Sequence, residues 1–209
     1  MKIKLPYKKF GRDYWLKGKG SCYTNFRYMP EKCLPRAAAF AEVTGMSKDA
    51  RILDYGCGMG TTTCALLELG YHNVIGIDLT AWPIKNCVPG AKGHVQQLKK
   101  KGLKIFADNS FDLVIAKDVF EHVPLPHLKN VVNELMRVSP KLLFLCPVAD
   151  EHGNFICPRD EDDVTHITRL TKEKWLSSFP YQATEHNEVL LVVRGKEHAH
   201  GSVCVLLER

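Results

Sequence analysis

The sequence predicts an α/β fold built on a doubly wound, mostly parallel sheet. Three stretches carry that prediction. The first is a strand–turn–helix–strand unit over residues 50–80, ARILDYGCGMGTTTCALLELGYHNVIGIDLT. The second is a near-continuous apolar run, Phe111–Ala116, as a parallel strand buried on both faces requires. The third is a helix-period stretch, Pro126–Ser139, leading into the apolar run Lys141–Val148. With 209 residues, 45% apolar and 25% charged, the chain has the size of one globular α/β domain. We expect a single domain over 1–209, with residues 1–29 as an N-terminal lid or arm and 30–209 as the core. No run approaches the ~18 apolar residues of a membrane span. The start, MKIKLPYKKFGRDYW, has charges but no apolar h-region. A cytoplasmic protein with no membrane partner is expected.

Residues 1–25, broken by Gly11, Gly18 and Gly20, read as irregular. The leading segment is rich in aromatics: Tyr7, Phe10, Tyr14, Trp15, Tyr23, Phe26 and Tyr28. They suit either a lid over a ligand pocket or a cover for the sheet edge. Part of the formal +6 charge lies here too, in Lys2, Lys4, Lys8, Lys9, Arg12, Lys17 and Lys19 against Asp13. Such a run is a solvated tail or a surface for nucleic acid. Pro30–Thr44 is a helix, opened by proline in its first turn and closed by Gly45.

The central unit follows. Arg51–Tyr55 is a strand that ends on Asp54 and Tyr55; Gly56, Gly58 and Gly60 form a tight turn; Thr61–Gly70 is a helix; Asn73–Ile77 is a second strand, ending in Asp78. The glycines let backbone approach a ligand without a Cβ in the way. Pro83 opens a short helix, and Gly93–Leu98 is a short third strand. Lys99–Lys104 reads as a solvated loop. After the helix over 126–139, Pro140 stops it and Lys141–Val148 forms the fifth strand. Ala149–Asp163 is polar and loop-like; Thr171 starts a helix whose apolar face holds Trp175, Leu176 and Phe179. EVLLVVRGKEHAHGSVCVLLER reads as two strands around a glycine loop, an antiparallel hairpin.

The chemistry concentrates at the glycine turn. A dinucleotide fingerprint needs G-x-G-x-x-G, but position 61 is threonine and the third glycine is Gly60. The pattern is D-x-G-x-G-x-G from Asp54, and an acid just before the glycines repels a pyrophosphate. It suits a ligand with an ammonium and a sulfonium. An acid at the end of the second strand, Asp78, is placed to grip ribose hydroxyls.

With these residues in view, ILDYGCGMG resembles motif I of the class I S-adenosylmethionine (SAM) dependent methyltransferases. SFDLV…EHV resembles their block around the fourth strand, and the stretch around His166, Thr171 and Trp175 that of the type 11 group. The likeness implies a Rossmann-like sheet of order 3-2-1-4-5-7-6 and SAM as cofactor. It implies cofactor contacts at Asp54, Tyr55, Gly56, Cys57, Gly58 and Gly60, at Asp78 and Leu79, and at Lys117 and Asp118. Many relatives carry Gly-Asp in the third strand, where this chain has Gly93-His94. His94, Val95 or Gln96 is expected to take over the adenine contact. His122 is the candidate catalytic base, against the alternative that it holds its loop; His152 and His166 rank second.

The expected activity is methyl transfer to an O, N or C atom of a small or medium-sized molecule. The alternatives are an RNA methyltransferase using the basic arm, or a non-catalytic SAM-binding module. The Pro-Pro motif of DNA amino-methyltransferases and the cysteine of cytosine-C5 enzymes are both missing after the fourth strand, which holds Lys117-Asp118-Val119-Phe120. Cysteines stand at 22, 33, 57, 64, 87, 146, 157 and 204 without C-x-x-C or other paired ligand spacing. They read as free thiols of a reducing compartment, with a zinc site through Cys22, Cys33 and Cys157 as the minor alternative; no metal is expected.

Overall fold

The computed structural model describes residues 10–18, 26–99 and 102–209. Lys2, Lys4, Lys8, Lys9, Lys19, Tyr7, Tyr23 and Cys22 lie outside them, so the readings on the basic arm fall largely beyond the described residues.

Seven strands form one sheet: β1 (Arg51–Tyr55), β2 (Asn73–Asp78), β3 (Val95–Gln97), β4 (Leu113–Lys117), β5 (Lys141–Pro147), β6 (Gln182–Glu185) and β7 (Ser202–Glu208). Their order is β3-β2-β1-β4-β5-β7-β6. The pairs among β1 to β5 are parallel, with Leu53 beside Ile75 and Val114. β7 runs antiparallel to both β5 and β6. The helices are α1 (Arg12–Lys17), α2 (Pro30–Thr44), α3 (Thr61–Glu68), α4 (Ala81–Lys85), α5 (Leu125–Val138), α6 (Pro158–Glu161), α7 (Lys172–Ser177) and α8 (Asn187–Arg194).

The period-2 geometry of a strand splits β4 between two cores. Leu113 and Ile115 join Phe40 of α2, Leu66 of α3 and Leu190 of α8 on one face. Val114 and Ala116 join Leu128, Val132 and Leu135 of α5 and Trp175 of α7 on the other. Both faces of the central strands are therefore dry, which is why β4 and β5 read as unbroken apolar runs. Trp175 is fully buried, and its indole Nε1 donates to the Pro147 carbonyl at 3.2 Å. Thr171 caps α7 by accepting from the Lys174 amide.

Two expectations need correction. Residues 12–17 are helical, not irregular: α1 closes on Gly18 in the left-handed region, φ 62°. The run EVLLVV is not a strand but α8. Its buried residues, Val189 and Leu190, are adjacent and turn toward α2, while Leu191 and Val192 point outward, which a strand's alternation does not allow. The antiparallel pair survives with its first strand shifted to Gln182–Glu185, and α8 joins the two strands. The third strand shrinks to Val95–Gln97, and the expected loop after it contains a single 3-10 turn at Gly102–Ile105.

Candidate active site

Strand order reverses between β1 and β4, and there the carboxyl ends of the strands leave a crevice. Two of the three loop glycines, Gly56 and Gly58, shape its floor. Gly56, Gly58 and Gly60 have φ of 73°, 54° and 79°, a region where L side chains are strained. A Cβ on Gly56 would lie 2.5 Å from Val119 Cγ2, and one on Gly58 would lie 2.7 Å from the Trp15 ring. Gly60 works differently: its Cβ would collide with Ala91 and Val95, so it packs the loop onto its surroundings and does not line the crevice.

Two aspartates bracket the loop. Asp54 is buried, and its Oδ2 accepts from the Thr63 amide at 3.1 Å and hydroxyl at 2.7 Å. Those bonds tie the strand end to the first turn of α3. Burial pushes its pKa up to about 6, against the two bonds from Thr63. Asp78 accepts from the Gly58 amide at 3.0 Å through Oδ2. Its Oδ1 accepts from the Thr80 amide at 2.8 Å and hydroxyl at 2.6 Å. Burial raises its pKa as well, with Thr80 and Gly58 opposing. The aspartate thus holds the glycine loop in register while facing open space.

That space is two chambers. A smaller one of about 130 Å³ is walled by Tyr55, Asp78, Leu79, Leu98, Val119 and His122. A larger, more polar one of about 830 Å³ reaches Arg36, Asp54, Cys57, Lys117, Arg159 and Arg194. Trp15, Gly56, Gly58 and Asp118 mark where they meet, with Trp15, Gly56 and Asp118 in both walls. The cover is α1. The Tyr14 hydroxyl donates to buried Asp163 Oδ2 at 2.7 Å, and Trp15 stacks edge-on with Phe26 at 5.0 Å. Phe10, Tyr14 and Trp15 line the smaller chamber.

Beyond β4 sits a charge cluster. Asp118, at φ 55°, is clasped by the Lys117 ammonium and by the Arg194 guanidinium from α8. Burial alone would raise its pKa; Arg194 and Lys117 hold it well below the usual range. Burial lowers Lys117, and Asp118 partly restores it. Arg36 of α2 joins this wall with its buried Nε lacking a hydrogen-bond partner among the described residues.

Several expected residues fall elsewhere. β3 runs parallel to β2 with Val95 beside Gly76 and Gln97 beside Asp78, so His94 stands at its amino end, away from the crevice. His94 Nδ1 lies 3.3 Å from the Val74 carbonyl. His94, Val95 and Gln96 line neither chamber; Leu98, at the strand's carboxyl end, does. His152 is exposed. His122 lines the smaller chamber, but burial first, and His166 second, lower its pKa to about 4. It enters the crevice as a neutral imidazole, a weak proton acceptor at neutral pH. His166 lies beside it, ring centroids 4.9 Å apart. Sequence reasoning placed Glu121 at the carboxyl edge of β4 and Asp163 in a polar loop without giving either a role, and it missed Arg36 and Arg194. Glu121 stood next to His122 in the quoted block, but Arg36, Asp163 and Arg194 had no local signal, since only the folded topology brings them in.

The fold defines a class, the Rossmann-like α/β domain with strand order 3-2-1-4-5-7-6. Residues 53–141 match the family model described as a methyltransferase domain. A sterol 24-C-methyltransferase of Neurospora crassa is 28% identical over 143 residues, 63% of this chain and 37% of that protein. A ubiquinone biosynthesis O-methyltransferase of Nitrosococcus oceani is 33% identical over 100 residues, 45% of this chain and 42% of that protein. The chain therefore spans well under two thirds of the length of these relatives. Among solved structures, a SAM-dependent methyltransferase of Archaeoglobus fulgidus superposes with a TM-score of 0.62 at 16% identity, over 84% of this chain and 93% of its own, a likeness of fold. Among the described residues, no helix is long and apolar enough to cross a membrane.

Proposed function

We propose that this protein is an enzyme that transfers a methyl group from S-adenosylmethionine to an O, N or C atom of a small or medium-sized molecule. One observation carries the reading: buried Asp54 and half-buried Asp78 flank a glycine loop with open space on both sides. The residues fit the donor. Asp78 has lone pairs left for ribose hydroxyls at the smaller chamber, and Leu79 and Leu98 supply apolar walls for a base. Asp54 suits an ammonium at the larger chamber, and the unpartnered Arg36 Nε suits a carboxylate.

The donor's sulfonium supplies the reactive carbon. The chain's own part is alignment and exclusion of water. Asp54 and Asp78 fix the two ends of the donor, and the glycine backbone allows close approach between them. α1 with Tyr14 and Trp15 covers the line between donor and acceptor. Alignment of this kind contributes up to ~7–11 kcal/mol in the best intramolecular cases. Domain and location follow the same reading: one domain, with residues 1–29 as lid or arm and 30–209 as core, in the cytoplasm.

The test is calorimetry with SAM and, separately, with NAD, followed by tritiated-methyl transfer into an extract split into small-molecule, protein and RNA fractions. SAM binding with label in the small-molecule fraction supports the reading. Label in the RNA fraction moves the acceptor to RNA, and binding without transfer makes the protein a SAM-binding module.

A further inference from the structure

We propose that Glu121, His122 and His166 form a binding site for one divalent transition-metal ion, of the zinc, manganese or iron class. The three side chains come from two segments: the 3-10 turn Phe120–His122 after β4, and the loop between α6 and α7. Each offers a ligand atom, and these atoms lie within 4.8 Å of one another. Two backbone bonds hold the segments together: the Ile167 and Thr168 amides donate to the Glu121 carbonyl at 2.8 and 2.9 Å.

The hydrogen bonds fix which atoms point inward. The Thr165 hydroxyl donates to Asp163 Oδ1 at 2.5 Å, so toward His122 it can only accept. His122 Nδ1 lies 2.9 Å from that hydroxyl and 3.2 Å from the Thr165 carbonyl, and it must therefore carry the proton. His166 Nδ1 lies 2.9 Å from the Asp160 carbonyl, which also only accepts. Both rings are thus Nδ1–H tautomers with Nε2 lone pairs left over. This is how ligating histidines are oriented: the far ring nitrogen donates to a carbonyl or a carboxylate chain. Glu121 completes the set. It is 1% exposed, and its Oε2 has no hydrogen-bond partner among the described residues. Two imidazoles and a carboxyl group then converge, with His166 Nε2 also 3.7 Å from Asp163 Oδ2. An unpartnered buried carboxylate is costly, and a cation relieves it.

Two imidazoles with one carboxylate select transition metals over magnesium or calcium, which prefer all-oxygen shells. Three protein donors leave a coordination position open, and His122 lines the smaller chamber, so the ion sits at its wall. The binding does not depend on the donor reading; its chemical use does. An acceptor hydroxyl bound to the ion loses its proton to water more readily. Its oxygen then bonds the methyl carbon of SAM, and the C–S electron pair leaves with the thioether product.

The test uses the full chain, stripped with a chelator and titrated separately with Zn²⁺ and Mn²⁺, with bound metal counted by mass spectrometry. One ion per chain is expected. Glu121→Gln and His166→Ala should each lose stoichiometric binding. Thr165→Val, which removes the hydroxyl that orients His122, should weaken affinity about 10–100-fold. SAM calorimetry runs in parallel; its failure alone would sink the donor reading and leave this site standing. Absence of stoichiometric metal from the wild-type chain overturns the proposal, as does full retention in both ligand variants. Should those variants misfold, Co²⁺ in the wild-type chain decides. Ligand-field bands without thiolate charge transfer support the site. A thiolate band overturns it, placing the ion at a cysteine such as Cys157, whose Sγ lies 3.8 Å from His198 Nδ1.

Discussion

The crevice has two halves built in opposite ways. The glycine-loop half is local: Asp54, Gly56, Gly58 and Asp78 come from one 25-residue βαβ unit. Its hydrogen bonds run within that unit, from Thr63 to Asp54 and from Gly58 to Asp78. The far half is assembled from distant segments. Glu121 and His122 meet His166 across more than 40 residues of chain, Tyr14 meets Asp163, and Arg194 meets Asp118. A local half serves a constant ligand, because a short unit can hold fixed geometry alone. An assembled half can change its chemistry by changing one loop.

The largest effect that should separate the halves comes from Gly58→Val. A branched side chain at φ 54° is strained by about 1–3 kcal/mol, and its Cβ displaces Trp15. SAM affinity should fall more than ~100-fold by calorimetry, while the metal titration stays as in wild type. Trp175→Ala attacks the far half through its support. Deleting a fully buried tryptophan should cost about 3–5 kcal/mol in urea unfolding. SAM affinity of the folded fraction should hold. An affinity loss there would mean that the halves are not independent.

Asp78→Asn removes the charge while keeping the shape. Charge-assisted bonds contribute about 1.5–3 kcal/mol, so SAM affinity should fall ~10–100-fold.

The smallest and most specific effect is with pH. The folded pKa of Asp54 is raised, to about 6, so the native state holds a proton that the unfolded chain releases near its ordinary value. Its contribution to stability is therefore lost as pH rises from the unfolded value toward 6. SAM binding has the opposite sign, because an ammonium needs the carboxylate ionised. Affinity should fall as pH drops through 6, by about tenfold per unit at most. Flat affinity from pH 5 to 7 would remove Asp54 from the donor's ammonium end.

The same contrast explains what could be read from the chain alone. The glycine unit was legible because its spacing, its turn residues and its two acids all lie within one window. The central strands β4 and β5 were legible because strands dry on both faces read as apolar runs. His94, Val95 and Gln96, expected at the adenine, line neither chamber; β3 has three residues and no alternation to fix its end. The α8 segment was misread because a five-residue apolar run fits a buried strand as well as a helix; the packing of Val189 and Leu190 against α2 decides. The pairing of Glu121 with His166 was illegible because no spacing rule links a turn after β4 to a loop after α6.

The central claim is that the crevice under Trp15 holds an adenosyl sulfonium donor between Asp54 and Asp78. Titration of the full chain with SAM at neutral pH tests it most directly. The account expects saturable heat at one site per chain and none with NAD. A folded chain that gives no heat with SAM, or gives it equally with NAD, would contradict it.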